Sequence, residues 1–283
     1  MGICPAGQDH QELGRALGGG VGRSQSRVRG GNLTPATVEK IYHVFRKVIG
    51  AAYEDDRIPR LPCPKNPPIA RGKRKAVRFL TEGEVEALAA AIVPSFEVVI
   101  YVAAYGGFRI GELVALRLDD VDWLRGTIRV DENLTDVNGH LEFGAPKTGR
   151  AFRTVPIADP VVQKLARHVE KNQVRAPRDL LFRGRDRGVL RPNGWRRRHF
   201  DPAAARAGLC PLTPHDLRHT AASFLIAEGA NQWMLAEILG HRDTRMIDRV
   251  YGHLFEKDRQ ALRDRMSQRA IRAAADNVIP LSR

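Results

Sequence analysis

The sequence predicts a mainly helical protein carrying one small antiparallel β-sheet. Two observations carry this. Several segments repeat apolar residues at helical spacing and open on capping signals: Thr34-Pro35, Thr81 with Glu84, and Thr213-Pro214 with Asp216. Between them, residues 127–157 alternate like strands around Asn138-Gly139, the dipeptide of a tight hairpin turn.

Taken in order, residues 1–32 are rich in Gly, Arg, Ser and Gln, show no period, and read as a disordered basic leader. Residues 33–56 form a helix that Thr34 caps, with Val38, Ile41, Phe45, Val48 and Ile49 as its apolar stripe. Residues 57–78 carry five prolines and the run ARGKRKAVR, which is linker composition; Lys73, Arg74 and Lys75 stand there as candidate phosphate contacts. A second domain, 79–268, opens on the Thr81/Glu84 capping box, and a further helix covers about 95–106. In YGGFRIGELVALRLDDVDW the leucines at 113, 116 and 118 read as core, with Arg109 and Glu112 beside paired glycines. TIRV and RTVPI are strands, and Lys147 lies in the turn APKTGRAF between the last two. An amphipathic helix follows at about 159–172. Seven arginines then fall between Arg183 and Arg198, ending in Arg196, Arg197 and Arg198, a candidate phosphate-facing patch. After Tyr251 comes a charged helix with an Ala/Leu/Met/Ile stripe, then a tail, 269–283.

Charge narrows the partners. Lys and Arg number 46 against 32 acids, a formal charge of +14, which favours nucleic acid or an anionic membrane. The most apolar stretch, 87–108, is broken by Pro94 and Glu97, so it reads as two core helices; a span needs ~20 unbroken apolar residues. Cys4, Cys63 and Cys210 make no disulfide or metal-knuckle pattern, and no apolar signal core opens the chain, as expected of a cytoplasmic protein.

The most informative stretch is residues 215–254, HDLRHTAASFLIAEGANQWMLAEILGHRDTRMIDRVYGHL. Thr213, Pro214 and Asp216 start a helix whose first turns carry His215, Arg218 and His219 on one face. A helix N-terminus favours anions, so a histidine and an arginine there suit a phosphate. Gly229 ends this helix, Asn231 caps the next, and Gly240-His241 closes that one ahead of Tyr251.

HDLRH, LGH and YGHL in this order resemble the C-terminal half of tyrosine recombinases, the phage-integrase family. The resemblance is close from Thr81 onward and looser over 33–80. It implies a helical catalytic domain with a small antiparallel sheet, preceded by a helical remnant of a core-binding domain whose earlier helices are missing or replaced by the leader.

The activity it implies is site-specific recombination of double-stranded DNA at attachment sites. Tyr251 would attack a phosphate, giving a 3′-phosphotyrosyl link and a free 5′-hydroxyl. Arg109 and Arg218 would clamp the non-bridging oxygens, and His241 would donate a further hydrogen bond. His215 would be the general base and Lys147 the acid for the leaving 5′-oxygen. Glu112 and His219 are expected to be structural, and Trp233 a core aromatic. No cofactor or metal is expected. His215 and His219 form an H-x-x-x-H pair, but Asp216 stands where a zinc protease has glutamate, and Arg218 would repel the ion. The resemblance further implies a homotetramer on DNA, with DNA-bending or directionality factors as accessory partners. Relatives pack the C-terminal segment on a neighbouring protomer; packing on its own domain is the alternative. Two other readings stay open: an N-terminally truncated DNA-binding relic, and a nicking-closing enzyme of topoisomerase type.

Overall fold

The computed structural model describes residues 33–66, 77–137, 139–145, 152–184, 187–241 and 243–276. Lys73, Arg74, Lys75 and Lys147 lie outside them. The chain divides between Ala76 and Val77 into two compact units.

In the first unit, α1 (Pro35–Glu54) starts as its sequence dictates: the Thr34 side chain accepts from Thr37 N, and Pro35 occupies the first turn. Its buried face differs from the expected stripe. Val38 and Tyr42 are buried, whereas Ile41, Val44 and Val48 are exposed. The chain following the helix supplies the reason on the Tyr42 side. The Tyr42 hydroxyl donates to Pro64 O at 2.8 Å, and Cys63 is buried.

The second unit is mainly helical. Thr81 caps α2 (Glu82–Ala91) through the reciprocal Thr81–Glu84 capping box. Next, α3 (Glu97–Gly106) is buried along almost its whole length and stops at Gly107, whose φ of +67° suits glycine. The short α4 (Ile110–Leu113) starts at Arg109. The strands form two small antiparallel sheets rather than one. Strands β1 (Val121–Asp122), β2 (Thr127–Val130) and β5 (Arg153–Pro156) make the first, in that order, with Ile128 opposite Val155 and Val130 opposite Arg153. Strands β3 (Asn133–Val137) and β4 (His140–Gly144) make the second, a hairpin closed at Val137–His140.

Helix α5 (Asp159–Lys171) buries Val161 and Leu165. Then α6 (Pro192–Trp195) runs through a wider turn, Arg196–Phe200, into α7 (Asp201–Arg206). Trp195 and Phe200 are buried and anchor that turn, which leaves Arg196, Arg197 and Arg198 exposed. The arginines of this run are not a uniform free patch. Arg183 pairs with Asp179 at 2.7 Å, Arg196 with Asp201 at 3.2 Å, and Arg191 donates to Gly139 O.

Helix α8 (Pro214–Ala227) packs along α3, with the Tyr105 and Phe224 rings 5.2 Å apart. Then come α9 (Gln232–Leu239), capped by Asn231 and ended by Gly240 in the left-handed region, and α10 (Arg245–Asp276). Trp233 is not a core aromatic. It is 71% exposed, because α9 turns Leu235, Ala236 and Leu239 inward and its first turn outward. Among the described residues no helix is long and apolar enough to cross a membrane.

Candidate active site

Four segments build the site: the α3–α4 turn, the inner face of β5, the start of α8 and the end of α9. Arg109 caps α4, and its backbone N–H donates to Glu112 Oε2 at 2.8 Å. Its guanidinium donates to Glu112 Oε1 at 2.8 Å through Nη1 and to Gly240 O at 3.1 Å through Nη2. The side chain keeps 41% of its surface exposed, so it is the open edge of the site.

Arg218, one turn into α8, is buried. Its Nη1 donates to Gly107 O at 2.6 Å, and its Nη2 donates to Leu239 O. These are carbonyls at the ends of α3 and α9, freed because both helices stop at a left-handed glycine. Burial, and then the Arg109 charge, pushes the Arg218 guanidinium down to about 9, so it is still a cation at neutral pH.

Nη2 of Arg218 also lies 3.0 Å from His241 Nε2. A guanidinium only donates, so Nε2 must accept and the imidazole proton sits on Nδ1. That Nδ1 is buried, with no hydrogen-bond partner among the described residues. Burial, with the Arg218 and Arg109 charges, pushes His241 down to about 4 and keeps it neutral. The site thus combines two guanidinium groups with a buried imidazole N–H.

Tyr251 lies on the second turn of α10 and is 2% exposed. It sits in an apolar cluster with Ala222, Ile226, Leu235, Leu239 and Ile247. Its hydroxyl is 2.7 Å from Nδ1 of His219, and burial pushes the phenol up to about 12 despite the opposing Arg218 charge. His219 is itself pushed down to about 4 by burial, then by His215 and Arg218. His215 is exposed at the mouth, its ring 4.6 Å from that of His219. Burial, then Arg218, lowers it too.

Of the expected residues, the fold therefore brings Arg109, Arg218 and His241 into direct or shared contact, with His215 beside them. It gives the Tyr251 hydroxyl to His219 rather than to His215. Lys147 lies outside the described residues.

Sequence reasoning missed Arg153. On β5 its side chain is 2% exposed, and Nη1 and Nη2 reach Glu112 Oε1 and Oε2 at 3.1 and 2.8 Å. Its Nε donates to Ile238 O at 2.6 Å. Alternation in RTVPI was the available signal, since it puts Arg153 on the same face as buried Val155 and Ile157. Burial alone would push the Glu112 carboxyl up, but Arg153 and Arg109 outweigh it and hold Glu112 below the ordinary range.

The chain is 31% identical over 171 residues to the prophage integrase IntR of Escherichia coli, covering 53% of this chain and 41% of that one. It is 28% identical over 262 residues to the integrase of Mycobacterium phage L5, covering 91% of this chain and 67% of that one. The chain thus spans between two fifths and two thirds of the lengths of these relatives. The Tn1549 transposon integrase, solved with a circular intermediate DNA, shares the fold at a TM-score of 0.70 and 20% identity, over 88% of this chain and 83% of that one. Residues 78–258 match the model of the phage integrase family, well over half of the sequence, and the chain belongs to that family.

Proposed function

We propose that the protein is a site-specific DNA recombinase that cuts and rejoins strands through a 3′-phosphotyrosyl intermediate on Tyr251. The observation that carries this reading is the meeting of Arg109, Arg218 and His241 at the ends of α3 and α9, one helix away from Tyr251. Two forked cations and an N–H donor match a pentacoordinate phosphate, whose non-bridging oxygens gain charge in the transition state. Fixed donors at such a site are typically the largest catalytic contribution.

In this reading the Tyr251 Oη–P bond forms as the P–O5′ bond breaks. The phenol proton leaves through the His215–His219 pair, and Lys147 protonates the departing 5′-oxygen. A partner strand's 5′-hydroxyl then reverses the step. Tyr251 is buried at rest, so its phenol has to turn out of the pocket to reach a phosphate. Residues 33–56 act as core-binding segment, 57–78 as linker with Lys73, Arg74 and Lys75 on DNA, and 79–268 as catalytic domain. Exposed Arg196, Arg197 and Arg198 add phosphate contacts. The partners are duplex attachment sites in the cytoplasm, bound by a homotetramer with accessory bending or directionality factors.

The test uses a library of nicked duplexes with random cores, from which fragments held through denaturing detergent are recovered and sequenced. A converging sequence motif is expected with the native chain and none with Tyr251→Phe. Capture by neither protein would overturn the proposal.

A further inference from the structure

We infer that Arg153 is a positioning residue for the phosphate site: it takes up the charge of Glu112 and so leaves the Arg109 charge for the DNA. The inference rests on the recombinase reading above. Its starting point is a conflict. Glu112 lies under Arg109, accepting from both its backbone N–H and its Nη1 at 2.8 Å. That pairing fixes the guanidinium, as a clamp requires. A carboxylate paired with Arg109 alone would also cancel its charge, and a neutral pair attracts a phosphate poorly.

Arg153 resolves the conflict. It grips the same carboxylate from the buried side, oxygen for oxygen. One negative charge is then shared between two guanidinium groups, with Arg218 adding a third cation that bonds to carbonyls instead. Arg153 is 2% exposed on its side chain and reaches no solvent face where DNA could lie, so it acts through Glu112 and not on the substrate. A buried ion pair is poor evidence for stability, because apolar residues of similar volume usually do as well. Its position on an apolar strand face, beside Val155 and the carbonyl of Ile238, points to the charge itself. The same side chain also packs under the Gly240 turn, where a Cβ would come within 2.9 Å of Nη1.

The test separates charge from structure. Adduct formation is timed on one nicked duplex, selected as above, with either a phosphodiester or a methylphosphonate at the scissile position. The methylphosphonate replaces one charged oxygen with a neutral methyl group. Arg153→Met is expected to slow the phosphodiester reaction by about 10–100-fold, the usual reach of a supporting partner, and the methylphosphonate reaction far less. R153M/E112Q, which removes the excess negative charge, is expected to regain most of the lost rate. Its core holds no orphaned carboxylate, so it decides the matter should Arg153→Met fail to fold. Equal slowing on both linkages in the folded variants, or no recovery in the double variant, would reduce Arg153 to a packing role. A native chain that forms no adduct on any linkage would instead overturn the recombinase reading, and this role with it.

Discussion

The hydroxyl of Tyr251 lies 2.7 Å from Nδ1 of His219, not beside His215, which precedes His219 by one helical turn. With the imidazole pushed down to about 4 and the phenol up to about 12, the proton stays on the oxygen and the contact is a neutral hydrogen bond. His219→Leu removes the acceptor and leaves a buried phenol unpaired. It is expected to destabilise the catalytic unit by about 1–3 kcal/mol, the usual cost of such a group. Urea unfolding monitored by circular dichroism checks this; a midpoint unchanged from the native protein would show that the bond contributes nothing.

The same burial sets an acid limit. His219 and His241 are depressed in the folded protein, so between about pH 6.5 and 4 the unfolded chain binds more protons than the native one. Stability is therefore complete above about pH 6.5 and falls as pH drops through that window. The slope is up to ~1.4 kcal/mol per pH unit for each histidine. His241→Asn should make the slope shallower, which denaturant midpoints at pH 7, 6 and 5 would reveal. A slope identical to that of the native protein would mean that His241 titrates normally.

Gly107 closes α3 at φ +67° and hands its carbonyl to Arg218. A Cβ there would meet Leu239 Cδ2 at 2.7 Å and Ala221 Cβ at 3.2 Å. Gly107→Ala is expected to cost about 1–2 kcal/mol for the left-handed backbone alone and to displace the Arg218 guanidinium. Adduct formation should fall more than DNA binding does, in parallel filter-binding and detergent-gel assays. Equal activity would show that the site tolerates movement of the Gly107 carbonyl.

Replacing Arg196, Arg197 and Arg198 together with alanine should make the dependence of log affinity on log salt shallower by about two to three units, if all three meet phosphates. Fluorescence anisotropy across a salt series measures it. The pairing of Arg196 with Asp201 favours the lower figure. An unchanged slope would make the run a solvated face.

Lys147→Ala should slow cleavage by about 10²–10⁴-fold on a normal 5′-oxygen leaving group, the usual range for a general acid. A bridging phosphorothioate should restore most of the rate, because its sulfur leaves without a proton. Equal defects on both substrates would leave Lys147 as a phosphate contact.

The helix ends were legible in the sequence because capping is local. Thr81/Glu84, Thr213/Asp216, Asn231 and the stops at Gly229 and Gly240 need only a few neighbouring residues to act. Arg109, Arg218 and His241 were legible through their place in the order of motifs that resembles the tyrosine recombinases. What escaped depends on long-range packing. The face that α1 buries is set in part by Cys63 and Pro64, beyond the reach of a helical period. Trp233 looked like core because tryptophan usually is, yet the rotation of α9 is fixed by Leu235 and Leu239. Arg153 was visible only as a cation in register with Val155 and Ile157, and its partner Glu112 lies 41 residues away. The choice of His219 over His215 as the partner of Tyr251 turns on the approach of α10 to α8, which no local pattern encodes.

The central claim is that Tyr251 becomes covalently joined to DNA. Its most direct measurement is to trap the adduct on a nicked duplex, digest it with protease and nuclease, and sequence the nucleotide-bearing peptide by mass spectrometry. The account requires a 3′-phosphate linked to the peptide that contains Tyr251-Gly252-His253, with no such peptide from Tyr251→Phe. A linkage on any other residue, or an adduct that persists in Tyr251→Phe, would contradict it.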